Sequence, residues 1–250
     1  MSQTITRNYA PEKRTERQFF TGMAIVIALL VFAGFAPSYY LKPMFGVQPT
    51  TGQLTGWHHF HGLVFTLWIV FLLVQTVLVA TKRTDIHRRL GIGGMVLATL
   101  MTVLGFYMSF AAAKRGLTVP GVTPLAFLGV TLGDIILFPV LIGAGFYFRR
   151  RPDTHKRLML LATIVIVTPA IARLTALAFT FIPIPPLFFG WLIMDLMILA
   201  CVLFDFITLR RVHRATIIGG GLILLSEPLR LVIANTSVWL NLAAWLVKWF

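Results

Sequence analysis

Long runs of apolar residues alternate along this chain with short polar segments. Seven runs are long enough to cross the roughly 30 Å hydrocarbon core of a bilayer as helices, at about 1.5 Å per residue. They cover residues 19–40, 55–81, 90–113, 122–148, 156–180, 186–209 and 214–235. No run alternates with the period of two that is typical of barrel strands. The pattern therefore predicts an all-α integral membrane protein with a bundle of seven transmembrane helices.

The polar ends of these runs predict how the helices are arranged. A leading helix is followed by three hairpins, each rising from a basic inner turn that contains a histidine, and together they form one membrane domain over residues 19–235. Residues 237–250 are too few to span a bilayer. Trp239 and Trp249 recur there with leucines at helical spacing, which predicts an interfacial amphipathic helix on the outer leaflet.

The composition is typical of a membrane protein and does not indicate nucleic acid as a partner. The chain is 58% hydrophobic and only 12% charged, whereas soluble domains are about 25% charged. Its net charge of +14 does not indicate nucleic-acid binding, because the basic residues cluster where helices leave the bilayer. The one cysteine, Cys201, excludes an intramolecular disulfide and a CxxC redox or zinc motif.

The distribution of basic residues predicts the orientation in the membrane. Of the 22 Lys and Arg residues, sixteen lie in the N-terminal tail and the inner turns, four lie on the opposite side, and two lie within runs. The positive-inside rule then places the tail, residues 1–18, in the cytoplasm and the C-terminus in the periplasm of a bacterial inner membrane. The run beginning at Phe19 is longer than the roughly 7–15 apolar residues of a cleavable signal, so we expect a retained helix.

Charged residues recur at matching positions inside the apolar runs. Asp134 lies fifteen residues before Arg149, and Asp195 lies fifteen residues before Arg210. In both stretches a histidine, a proline and a further arginine follow. This repetition indicates a duplicated helical hairpin built around a site.

The rise of a helix places these intramembrane charges at one depth. Asp134 and Asp195 lie about 22 Å from the inner surface. Arg173 and Arg230 lie about 24 Å from it, and Glu227 lies nearly one turn deeper than Arg230. The five residues are therefore expected in the outer half of the bundle.

Two interpretations of this charged level remain open. A charge at a helix centre costs about 2.5–3.5 kcal/mol on insertion scales, and opposite charges that pair as structural ion pairs lower that cost. Alternatively, the charges bind a small polar or anionic ligand, or protons. Pro169 and Pro228 precede the two arginines, and a proline frees a backbone carbonyl and can open a cavity in a bundle. This favours a binding or transport site.

Three histidines open the second run at its outer end. His58 and His61 share a helix face, whereas His59 points elsewhere. They are consistent with an interfacial polar cap, a proton relay, or a metal or haem ligand. A metal would need further donors, for which Asp134 and Asp195 are the credible candidates. A metal-dependent membrane hydrolase is accordingly one hypothesis.

The inner turns contain His87, His155 and His213, each among Arg and Lys residues. Such turns set topology and bind anionic lipid headgroups, and this is the simplest interpretation of the three histidines. The sequence alone assigns no reaction, so whether the chain is an enzyme stays open.

Several short motifs carry a resemblance to known proteins. The chain resembles a family of uncharacterised bacterial multi-pass membrane proteins over its second to fifth runs. The matching residues are His59-Phe60-His61-Gly62, Gln75, Arg83, His87-Arg88-Arg89-Leu90-Gly91, His155-Lys156-Arg157-Leu158-Met159 and Arg173. More distantly, the pattern is similar to the transmembrane di-haem cytochrome b family.

The second resemblance implies haem ligands and an electron-transfer function. By analogy, His87 and His155 would be an inner haem pair and His61 would be an outer ligand. The fourth run has no histidine, so the outer ligand lacks a partner and one haem b is implied at most. This makes electron transfer through b-type haem or a quinone the alternative to ligand binding.

Overall fold

The computed structural model describes residues 9–45, 54–178 and 184–250, and within these ranges the chain is helical with connecting turns and no strand. A π-helix, Ala36–Tyr40, continues the first helix. The α-helices are α1 (Tyr9–Phe35), α2 (Lys42–Phe45), α3 (Gly56–Ala80), α4 (Thr84–Lys114), α5 (Pro124–Tyr147), α6 (Pro152–Val165), α7 (Thr168–Ala178), α8 (Pro186–Leu209), α9 (Arg214–Ala234) and α10 (Ser237–Trp249).

Six helices in the described ranges are long and apolar enough to cross a membrane, namely α1, α3, α4, α5, α8 and α9. The pair α6 and α7 makes a seventh if this bent pair counts as one span. The all-helical, multi-pass membrane class predicted from the hydrophobic runs is therefore confirmed, with six or seven spans.

Two helices begin earlier than the apolar runs predict. The helix α1 begins at Tyr9 rather than at residue 19, and α4 begins at Thr84 rather than at residue 90. Glu, Lys and Arg are good helix formers, so a helix continues past the apolar boundary into polar sequence. His87 therefore lies inside the first turns of α4. Residues 1–8 of the predicted tail and 179–180 of the fifth run lie outside the described residues.

The fifth run contains a bend of 45° between α6 and α7. Pro169 explains the bend, because it has no N–H for the carbonyl of Val165 four residues earlier. The hydroxyl of Thr168 donates to that carbonyl instead, at 3.3 Å. The proline thus changes the direction of the chain one turn before Arg173. Pro228, by contrast, lies inside the continuous helix α9.

The helix α5 lies at the centre of the bundle and packs against α4, α6, α9 and α10. Trp68 and Phe138 are almost fully buried between α3 and α5, with rings edge to face at 5.4 Å. The helix α1 packs against α3 and α7. At the α1–α7 crossing, a Cβ on Gly34 would lie 2.1 Å from the carbonyl oxygen of Ala170, so only glycine permits this approach.

The predicted C-terminal helix is present as α10. Thr236 caps it by accepting from the backbone N–H of Trp239 at 3.2 Å. The indole N–H of Trp239 donates to the carbonyl of Leu125 at 2.9 Å, and Ala243 is fully buried. These contacts attach α10 to the start of α5.

Candidate proton and ligand sites

A buried ion pair joins α5 and α9. The guanidinium of Arg230 donates to the carboxylate of Asp134, and also to the hydroxyl of Ser226 at 2.7 Å and the carbonyl of Val130 at 3.4 Å. Both charged side chains are buried. The opposite charges that the sequence placed at one depth are thus directly paired here.

A glycine makes room for this ion pair. A Cβ added to Gly133 would lie 2.3 Å from Nε of Arg230 and 2.4 Å from its Cδ. The arginine side chain therefore crosses the α5 backbone at the only residue type that leaves enough space. Gly133 directly precedes Asp134, so the same turn of α5 supplies both the space and the counter-ion.

Two acidic side chains meet one turn away from this ion pair. The carboxyl groups of Asp195, on α8, and Glu227, on α9, lie close to one another. Glu227 is only 7% exposed, and within the described ranges the buried Oδ1 of Asp195 and Oε1 of Glu227 have no hydrogen-bond partner. A hydrogen bond between two carboxyl groups requires a proton on one of them, because ionised carboxylates only accept. The arrangement can therefore hold a proton.

The carboxyl pair and the ion pair form one group, which we call the acid cluster: Asp134, Asp195, Glu227 and Arg230. Glu227 and Arg230 are three residues apart on α9 and therefore share a face. Nε of Arg230 is also buried and unpartnered. The acid cluster contains three carboxyl groups and one guanidinium, so full ionisation would leave two uncompensated negative charges in a low-dielectric interior, where like charges repel strongly.

Arg173 lies apart from the acid cluster, although the sequence placed it at the same depth. Its guanidinium lies over the ring of Phe35 on α1, 4.5 Å from the ring centre, and donates to the carbonyl of Pro169 at 2.7 Å. Helical rise sets only the depth of a residue, whereas the packing of α7 on α1 turns Arg173 towards α1. His61 on α3 is within electrostatic range of Arg173.

His58 and His61 do not act on a common partner. Nδ1 of His58 accepts from the backbone N–H of Thr55 at 3.1 Å and contacts the Thr55 hydroxyl at 2.8 Å, which caps α3. Its Nε2 lies 3.2 Å from Arg115. His61 instead lies against the ring of Phe65, 4.1 Å between centres, and its buried Nδ1 has no hydrogen-bond partner among the described residues.

A second buried ion pair lies near the opposite end of the bundle, and the sequence did not indicate it. Arg157 on α6 donates to Asp205 on α8, and the side chains are 3% and 1% exposed. Asp205 also accepts from the hydroxyl of Thr216 at 2.5 Å and the backbone N–H of His213 at 3.1 Å. Asp205 is an acid within an apolar run, which is the signal that could have identified it.

His213 caps α9 next to this ion pair. Its Nδ1 accepts from the backbone N–H of Ala215 at 3.1 Å. Burial, and then the charge of Arg157, lower the pKa of His213 below its ordinary value, although Asp205 opposes this effect. The predicted basic turn thus contains a structural cap.

The two other inner histidines lie close together. The rings of His87 and His155 are 6.2 Å apart between centres and nearly perpendicular. Nδ1 of His155 lies 2.8 Å from the carbonyl of Gly145, which leaves Nε2 for another partner. Nδ1 of His87 and Oε1 of the buried Gln75 have no hydrogen-bond partner.

Across the described ranges, no group of three or more His, Cys, Asp or Glu side chains is arranged to hold a metal ion. In particular, His58 and His61 contact neither Asp134 nor Asp195 in this part of the chain. Comparisons with protein-family models, curated proteins and solved structures found no match.

Proposed function

We propose that this chain is a multi-pass protein of a bacterial inner membrane that binds and relays protons through Asp195 and Glu227, coupled to the binding or transport of a small polar or anionic ligand. The proposal includes seven spans, with α6 and α7 forming one broken span, a cytoplasmic N-terminus and a periplasmic C-terminus. The excess of Lys and Arg in the inner turns supports this orientation.

The observation that carries the proposal is the contact between two carboxyl groups inside a membrane bundle. Ionisable residues within spans are costly and mark ion pathways and proton relays. If these two side chains only held helices together, an acid paired with a base, as Asp134 is paired with Arg230, would cost less free energy than two acids. Asp195 and Glu227 are both acids, so neither can neutralise the charge of the other. Each has one oxygen without a hydrogen-bond partner among the described residues.

The neighbouring ion pair supports a coupled relay. Arg230 touches Asp134 and is three residues from Glu227, so the charge state of Glu227 changes the field at Arg230. A proton entering or leaving the carboxyl pair would therefore alter the attraction between α8, α9 and α5. Such a change is the kind of local electrostatic event that biases a bistable helix arrangement.

Proton flux into liposomes tests this function. The purified chain is reconstituted with an internal pH-sensitive dye, and a potassium diffusion potential is imposed with valinomycin. We expect proton influx above that of protein-free liposomes, and loss of it in Asp195→Asn and Glu227→Gln. Asp153→Asn, which changes an acid whose side chain is 67% exposed, is the matched control. Equal flux in wild type and Glu227→Gln would contradict the relay.

Electron transfer is the second candidate, and it is favoured by the proximity of His87 and His155. Their ring centres are 6.2 Å apart, and each ring keeps one nitrogen available, so His87 and His155 are the residues that would hold a haem. The bond of His155 to the Gly145 carbonyl is the kind of outer contact that orients a ligating histidine. A b-type haem would supply one-electron transfer when bound.

A visible absorption spectrum decides this second candidate. After haem-replete expression, a Soret band that is lost in both His87→Ala and His155→Ala would support it, and an absent Soret band would remove it. Since proton flux depends on residues of α8 and α9, the two candidates are tested independently. The hydrolase hypothesis gains no support from the geometry, because its proposed ligands are separated.

A further inference from the structure

Arg173 is a charged side chain inside a membrane span, and no residue in the described ranges supplies a counter-ion for it. Its contacts in the described structure are the carbonyl of Pro169 and the face of the Phe35 ring. Neither contact supplies negative charge. An unpaired arginine within a membrane is costly unless water, lipid or a ligand compensates its charge.

The positions of the acidic residues explain why none of them is seen to pair with Arg173. There are eight Asp and Glu residues. Asp134 and Asp205 bind other arginines, Glu16 and Asp153 bind Lys156, and Asp195 and Glu227 contact each other. Asp85 lies in the first turn of α4, at the inner end of that helix.

The eighth acid, Glu12, is too distant. It precedes Phe35 by 23 residues on α1, which corresponds to about 34 Å of helix. The segments outside the described ranges that border α7 and α2, residues 179–183 and 46–53, contain no Asp or Glu. Among the residues that the structure describes, no acid therefore forms an ion pair with Arg173.

The surroundings leave hydrogen-bond donors for an anion. An arginine has five N–H donors in a planar fork, and only Nη1 of Arg173 donates to a protein atom in the described structure. The contact with the face of the Phe35 ring restrains the guanidinium. His61, whose buried Nδ1 has no hydrogen-bond partner in the part of the chain that the structure describes, offers a ring nitrogen from α3.

A π-helix at the end of α1 lies in the same region. The π-helix Ala36–Tyr40 begins directly after Phe35, and such helices are frequent at functional sites. Its Tyr40 hydroxyl lies 2.7 Å from the hydroxyl of Thr66 on α3. The π-helix thus connects α1 to the turn of α3 that follows His61.

We propose that Arg173 and His61 form a binding site for an oxyanion group, a carboxylate or a phosphate, between α1, α3 and α7. The planar guanidinium fork matches both groups, since each offers two oxygens in one plane. The oxyanion belongs either to a small soluble molecule or to a lipid headgroup. The role of this site in transport rests on the proposed function above, whereas its occupancy does not.

Ligand-dependent thermal unfolding tests the site. The full chain in uncharged detergent is titrated with sodium phosphate, with sodium acetate and with phosphatidylglycerol, at constant ionic strength. We expect a saturable rise in the melting temperature with at least one probe. Arg173→Gln should weaken the apparent affinity by about tenfold or more, and Arg173→Lys should weaken it less, because lysine keeps the charge and loses the fork.

The controls separate this site from the general charge of the protein. Lys248→Gln removes an exposed basic residue and Asp153→Asn removes an exposed acid, so both variants should respond like wild type. A response to phosphate or acetate alone identifies a soluble anion, and a response to phosphatidylglycerol alone identifies a lipid headgroup. The proposal is overturned if no probe gives a saturable shift, or if Arg173→Gln and Arg173→Lys both fold and respond like wild type.

Discussion

Arg157 and Asp205 lie 48 residues apart in the chain and form the most deeply buried ion pair of the described structure. Removing one partner of a buried pair leaves an uncompensated charge, at a cost of about 3–5 kcal/mol. Asp205→Ala should therefore lower the unfolding free energy by about this amount. Thr216 and the His213 backbone would also lose their acceptor. Denaturant unfolding in detergent measures the effect.

A surface pair of the same kind provides the comparison. Asp153 binds Lys156 with its side chain 67% exposed, and exposed pairs contribute about 0–1 kcal/mol. Asp153→Ala should accordingly change the unfolding free energy little. The double variant Arg157→Leu with Asp205→Leu should recover part of the loss, because no charge stays buried. Equal costs for Asp205→Ala and Asp153→Ala would refute the assigned burial.

Gly133 is expected to tolerate no side chain. In Gly133→Ala the new Cβ would meet the middle of the Arg230 side chain, so the ion pair with Asp134 must shift. Overpacking of this kind costs about 1–3 kcal/mol. Gly143→Ala on the same helix is the matched control, since its Cβ would meet open space and alanine is the better helix former. Similar melting temperatures for the two variants would show that Arg230 is not held against Gly133.

The cap at His213 predicts a dependence of stability on pH. Because burial, followed by the charge of Arg157, lowers the pKa of His213 below 6.5 in the folded chain, the unfolded chain takes up a proton first as the pH falls. The stability that neutral His213 contributes is therefore fully present above pH 6.5. It is lost as the pH falls from 6.5 through the pKa of His213 in the folded chain. Protonation also removes the Nδ1 acceptor from Ala215. Melting temperatures measured from pH 8 to 5 would record the loss.

The variant His213→Asn isolates this contribution. Asparagine is a good helix cap and does not titrate, so its melting temperature should fall less steeply over the same pH range. Any acid-dependent loss shared by both proteins belongs to other groups. If the two pH profiles are parallel, His213 is not the titrating cap.

The hydrophobic runs were sufficient to predict the class of fold, because a bilayer demands long apolar helices. They located the ends of α1 and α4 poorly, since a helix continues into polar sequence wherever propensity allows. Pro169 lies at the bend of the fifth run, whereas Pro228 lies inside the continuous helix α9, so a proline alone does not predict a bend. Whether α6 and α7 act as one span depends on tertiary packing, which hydrophobicity does not encode.

The site was only partly predictable for a related reason. Helical rise gave the depth of each charge but not the direction in which it points around its helix. Asp134 and Arg230 meet, whereas Arg173, at the same depth, turns to Phe35. Asp205 was absent from the predicted site because it lies near the inner end of its run, where a charge looks like an ordinary helix boundary.

The central claim is that Asp195 and Glu227 share a proton inside the bundle, and infrared spectroscopy of the reconstituted protein tests it most directly. At neutral pH the wild-type chain should show the carbonyl band of a protonated carboxylic acid, shifted in heavy water. Glu227→Gln should abolish the band, because an amide can donate to Asp195 and leave it ionised, and Asp195→Asn should also abolish it. A wild-type spectrum without this band, or a band unchanged in both variants, would contradict the shared proton.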